Sequence, residues 1–101
     1  MDEYIDRVIK RLEMGWTVKA NARNKNEEVV SCRDGTAIKW CIVGAMVREC
    51  GYDVGLPQIT YSLRDKLSEK LRGRGPLLHW HDNQTTIEPV IELLKSCKDA
   101  V

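Results

Sequence analysis

The chain has 101 residues, 43% hydrophobic and 31% charged, and its 16 Lys and Arg against 15 Asp and Glu leave a formal charge of +1. This length fits one domain spanning 1–101, and the balance excludes a disordered chain and argues against polyanion binding as the main role. No apolar run approaches the roughly 20 residues of a membrane span, and MDEYIDRVIK is too acidic for a signal peptide, so a soluble cytoplasmic protein is expected.

Residues 2–14 form the first predicted helix. Ile5, Val8, Ile9 and Leu12 fall at i, i+3, i+4 and i+7, an apolar stripe. Asp2 and Glu3 open it and Lys10 and Arg11 close it, in keeping with the helix dipole. Gly15 is expected to stop it. From Trp16 the period changes. Trp16, Val18, Ala20 and Ala22 alternate with polar residues as in a half-buried strand, Asn24-Lys25-Asn26 is rich in turn formers, and Glu28–Cys32 returns. The reading is a two-stranded β-hairpin over 16–32, lying against helices because a lone hairpin is marginal in water.

Asp34-Gly35-Thr36 supplies capping residues for a second helix over 36–50, with Gly51 as its stop. Its middle, 40–47, is apolar on every side, so this helix is expected to be the buried centre. Gly44 and Ala45 would let a neighbouring backbone come close. A loop over 52–58 follows, then a helix over about 60–72 with Leu63, Leu67 and Leu71 on one stripe. Arg72-Gly73-Arg74-Gly75-Pro76 breaks it, Leu77–Trp80 reads as a short extended segment, and a last helix starts near Thr85 or Thr86. There Thr85 and Glu88 have capping-box spacing, and Ile87, Val90, Ile91 and Leu94 make the buried face. The fold class is α+β: about four helices around a central one, with one hairpin.

Three stretches, GWTVKANAR (15–23), AIKWCIVGAM (37–46) and LHWHDNQTTIEPVIELL (78–94), together resemble a family of small bacterial and phage proteins classed as a domain of unknown function. Its members tend to show Gly-Trp after the first helix, Trp-Cys-x-x-Gly-Ala on a helix, and Trp-Asn-Asp near the last. This chain has Trp80-His81-Asp82 where the family tends to have Asn. The resemblance thus implies that His81 is not a shared catalytic base, and that Asp82 and Asn83 bond backbone groups ahead of the last helix.

Four groups could carry chemistry. Cys41, placed about a turn into its helix, could act as a thiolate with His79 or His81 as base and Asp82 or Asn83 as orienter. Its position beside Trp40 in an apolar run favours a buried thiol. Read as a strand, His79-Trp80-His81-Asp82 puts both imidazoles on one face, near which Cys41 or Cys97 could add a ligand. No second ligand pair at fixed spacing accompanies it, so neither metal nor cofactor is expected. Cys32, Cys41, Cys50 and Cys97 contain no C-x-x-C pair. On one helix Cys41 and Cys50 would stand about 13 Å apart, too far for a bridge, so reduced thiols are expected.

The third group is basic: Arg64, Lys66, Lys70, Arg72 and Arg74, with Gly73 and Gly75, could meet an anion, nucleic acid or acidic protein surface, though Asp65 and Glu69 interrupt it. The fourth is Trp16, Trp40 and Trp80, expected to meet in the core of a domain that has no Phe. The sequence therefore favours a non-catalytic binding or interaction protein, phage-derived and acting on a host protein. A Cys41 hydrolase or transferase is the rival, and nucleic-acid binding through 64–74 is a third reading. A protein partner is expected, membrane attachment is not, and a homo-oligomer is left open.

Overall fold

The computed structural model describes residues 1–50 and 58–98. The expected stop at Gly51 and most of the loop over 52–58 lie outside them. Five helices and one small sheet are described: α1 (Asp2–Met14), β1 (Ala22–Arg23), β2 (Val29–Val30), β3 (Lys39–Trp40), α2 (Ile42–Glu49), α3 (Gln58–Lys70), α4 (Leu77–Asp82) and α5 (Glu88–Ser96). The class is α+β, as the sequence implied, with one more helix and one more strand.

Helix α1 buries the predicted stripe and adds Tyr4 to it. Removing side chains such as Ile5 and Leu12 from water contributes about 1.5–3 kcal/mol each. Gly15 ends α1 for a reason other than a left-handed cap. Its backbone is extended, with φ −178°, and a Cβ there would stand 2.0 Å from the carbonyl oxygen of Ile38. That close approach lets Trp40 N–H bond to Gly15 O (3.0 Å) and Thr17 N–H to Trp40 O (3.1 Å).

The hairpin is present but short. β1 pairs antiparallel with β2, Ala22 opposite Val30. Asn24 ties its turn, its Oδ1 accepting from Asn26 N–H (2.9 Å) and Glu28 N–H (3.1 Å). Residues 18–21, expected as strand, are bent instead, and Lys19 has φ +65°. The other edge of β1 pairs with β3, giving the order β2-β1-β3. β3 occupies residues assigned to helix on sequence grounds, so α2 starts at Ile42 and not at 36. Asp34 still caps, but caps a turn: its Oδ1 accepts from Thr36 N–H (2.8 Å) and Thr36 Oγ1 (2.7 Å).

Helix α2 packs against α1, β3 and α4. It buries Ile42, Gly44, Ala45 and Met46, while Val43 and Val47 are only partly covered. Gly44 is where another backbone crosses: its Cβ would lie 2.0 Å from Asn21 O. In α3, Leu63 and Leu67 are buried as expected, Leu71 follows just beyond the helix, and Thr60 Oγ1 meets Tyr4 Oη at 3.3 Å. Tyr4 also donates to Met46 O (2.7 Å), joining α1 to α2.

Leu77–Asp82 is helix α4, not an extended segment. Leu77 and His81, four apart, face inward and His79 faces solvent. Helix α5 opens at Glu88 with Pro89 in its first turn, and no side-chain cap forms, so the Thr85–Glu88 capping box is absent. Val90, Ile91, Leu93 and Leu94 bury its inner face. No helix among the described residues is long and apolar enough to cross a membrane.

Candidate functional site

The corner where α4 meets the start of α2 brings together Cys41, His81 and Asp82, three of the five residues that could form a catalytic set. Cys41 is the N-cap of α2, not a residue one turn inside it. Its extended backbone (φ −83°, ψ 175°) turns the thiol onto the helix end, and Sγ accepts from Gly44 N–H at 3.3 Å. The thiol sits 3.7 Å from Asn21 Oδ1. Burial raises its pKa, and the N–H groups of Gly44 and Val43, which favour the thiolate, do not offset this. At 2% exposure, Cys41 is a buried cap.

His81 is fully buried. Its Nε2 accepts from the Trp16 indole N–H at 2.8 Å and from Ile42 N–H at 3.3 Å. Both groups are donors only, so Nε2 presents its lone pair, and the ring proton is on Nδ1, 3.0 Å from Asp82 Oδ1. Trp16 lies edge-on to the ring, 5.7 Å between centroids. Asp82 Oδ1 also accepts from Lys19 N–H at 3.0 Å. Burial pushes the Asp82 carboxyl up, but the bonds from Lys19 and His81 together hold it below the usual range. The His81 pKa is lowered, chiefly by burial and against the pull of Asp82.

This arrangement bears directly on chemistry. A general base must offer an unoccupied lone pair to the nucleophile's proton, and that of His81 is taken by Trp16 and Ile42. The donors of the first turn of α2 are occupied as well: Ile42 on His81, Gly44 on Cys41 Sγ and Ala45 on Cys41 O (2.8 Å). Little is left there to hold an oxyanion. A cleft of about 370 Å³ opens beside Cys41, Asn21, Leu78 and Asp82.

His79 lies apart from this corner, on the exposed side of α4, where Asn83 Nδ2 donates to its carbonyl at 2.8 Å. The two imidazoles thus point to different faces, against the expectation that they share one. The described residues contain no group of three His, Cys, Asp or Glu placed to hold a metal ion. The expectation that Asp82 bonds backbone just ahead of the last helix is replaced by its bond to distant Lys19. All four cysteines are unbridged; Cys32, Cys41 and Cys97 are buried.

The basic residues lie on a different face. Arg64 and Lys66 are half-buried and Lys70, Arg72 and Arg74 exposed. Arg72 is engaged by Glu69 at 2.7 Å. Gly73 and Gly75 take left-handed backbone (φ +85° and +92°) that turns the chain after α3. Lys66 and Lys70 border a groove of about 440 Å³ between α3 and the end of α5, with Glu69, Ser96, Cys97 and Lys98. Lys70 and Ser96 also border a second groove of about 370 Å³, with Arg74, Trp80, Pro89 and Leu93. The three tryptophans have separate settings: Trp16 on His81, Trp40 buried beneath Arg11 (4.7 Å) and Arg48 (5.8 Å), and Trp80 in this second groove.

Cys41, His81 and Asp82 stand out in the sequence, whereas Trp16, the partner of His81, does not. An indole donor 65 positions from its acceptor leaves no local pattern. A family model, described as a family of unknown function (DUF6197), matches residues 2–100. No curated protein and no solved structure shows significant similarity to the chain.

Proposed function

Since the chain belongs to a family of unknown function, DUF6197, membership carries no activity to it, and we propose a non-catalytic binding protein whose partner is another protein. One observation carries this reading: the imidazole best placed to serve Cys41 has its only lone pair occupied by Trp16 and Ile42. The residues that looked like a catalytic set thereby become a structural corner, and the binding surface is sought elsewhere.

The surface favoured is the run of joined grooves along α3 and α5. Lys66, Lys70 and Arg74 recur every four residues along it, with Trp80, Pro89 and Leu93 as apolar floor. Cationic side chains beside an aromatic and a proline suit an acidic, partly apolar segment of a partner. Asp65, Glu69 and Glu92 dilute the field, which disfavours a nucleic acid. A phage-derived protein acting in the cytoplasm on a host protein fits this picture.

The test is affinity capture from bacterial lysate with the wild-type protein and a Lys70→Glu/Arg74→Glu variant. A specific protein retained by the first and lost by the second supports the reading. Capture unaffected by the variant, or none at all, counts against it. Steeply salt-dependent retention on a polyanion column would favour the nucleic-acid alternative instead.

A further inference from the structure

We propose that His81 is an acid-released latch: a proton on Nε2 detaches α4 from Trp16 and from the first turn of α2, uncovers Cys41 and widens the cleft beside it. This does not depend on the docking reading above. Trp16 Nε1–H and Ile42 N–H can only donate, and both aim at Nε2, at 2.8 and 3.3 Å. The closed corner therefore exists only with the ring neutral and its proton on Nδ1, directed to Asp82. Adding a proton to Nε2 sets a third N–H against two others, in a site that is 0% exposed. Three donors, Trp16 Nε1–H, Ile42 N–H and the new Nε2–H, would then lack acceptors together while Asp82 still holds Nδ1–H, and separation relieves all three.

The fold makes this separation local. Helix α4 has six residues, and of these Leu77 and His81 alone are buried. It meets α2 at the helix end where Cys41 caps, so its departure removes the cover over that thiol. The titratable and charged groups around the ring are Asp82 on α4, Cys41 at the head of α2, and Lys19 on the segment before β1. Asp82 is the one that favours the cation, and burial outweighs it, holding the pKa of the closed ring below its ordinary value.

Linkage gives the expected size. If opening requires the proton, the open population rises by up to about tenfold per pH unit below about 6.5, the value of a solvated imidazole, until the closed state itself titrates. Two readouts follow it between pH 7 and 5. One is labelling of Cys41 by a pyridyl disulfide, which reacts with thiols in acid. The other is hydrogen exchange at Ile42 N–H, normalised to the intrinsic rate, with Val8 and Leu94 amides as core references.

We expect Cys41 labelling and Ile42 exchange to accelerate together while Val8 and Leu94 stay protected. His81→Gln keeps an acceptor for Trp16 and does not titrate, so it should abolish the response, while His79→Gln should leave it intact. The proposal is overturned if the core amides open in step with Ile42, or if His81→Gln responds as wild type. Should that variant not fold, nitrogen chemical shifts of wild-type His81 decide: a ring protonated on Nδ1 alone at pH 7 that becomes doubly protonated as Ile42 opens supports the latch. A ring carrying its proton on Nε2, or neutral throughout, overturns it.

Discussion

Histidine 81 shows how one lone pair determines what a constellation of reactive residues can do. Cys41, His81 and Asp82 are the residue types of a hydrolase and they share one corner, yet the thiol caps a helix and the imidazole serves as an acceptor. The pair Trp16–His81 can be tested directly. Trp16→Phe keeps the ring and removes the donor, so it should cost about 0.5–1.5 kcal/mol in urea unfolding. The loss of a donor that favours the neutral ring should also raise the His81 pKa, visible in an NMR titration. An unchanged pKa would mean that the indole does not hold the lone pair. These residue types were legible in the sequence, as was the buried character of Cys41, but the occupancy of Nε2 was not. It depends on groups 65 and 39 positions away.

Among the elements, the long ones were legible and the short ones were not. Helices α1, α3 and α5 span 9–13 residues, enough turns for a buried stripe to stand out. β3 has two residues and α4 six, too few for any period to declare itself. Residues 36–41 looked helical because Asp34 and Thr36 are good caps and an apolar run follows. Instead, Thr36 sits in the turn capped by Asp34, and the edge of β1 and the bond from Cys41 N–H to Asn21 O (3.1 Å) hold 39–41 extended.

The crossing of Asn21 over α2 depends on Gly44. Gly44→Ala would place a Cβ 2.0 Å from a backbone oxygen that cannot rotate aside, and should destabilise by about 1–3 kcal/mol or more, read as a lowered urea midpoint. Gly35→Ala, which meets nothing within 4 Å, should change that midpoint little. Equal effects would refute the close approach as the reason for glycine at 44.

Over the whole molecule, buried titratable groups confine stability on both sides. His81 is held neutral, so its contribution is present above about pH 6.5 and is lost as pH falls through that value toward its lower folded pKa. Burial raises the thiols of Cys32, Cys41 and Cys97 above their ordinary 9.0 and pushes the Tyr4 hydroxyl up to about 12. Their contributions are present below those ordinary values and lost as pH rises past them. Thermal or urea unfolding should therefore show a plateau between about pH 6.5 and 9, with stability falling at each end. His81→Gln should flatten the decline nearest pH 6; a decline unaltered by it would assign that limb to other groups. Because three cysteines are buried, alkylation of the native protein at pH 8 should mark Cys50 well before Cys32, Cys41 or Cys97, as peptide mass would show.

The α+β class, the inner faces of α1, α3 and α5, the turn at Asn24–Asn26 and the burial of Cys41 are all legible in the order of residues. Those features rest on interactions within a few residues: helical periodicity, turn chemistry and a continuous apolar run. Long-range contacts set the rest: that α2 begins at Ile42, that a third strand closes on β1, that His79 and His81 face opposite ways, and that His81 is an acceptor. Each of these depends on a backbone or side-chain group brought from a distant part of the chain, where a single hydrogen bond or the room for one Cβ selects between local alternatives of similar energy.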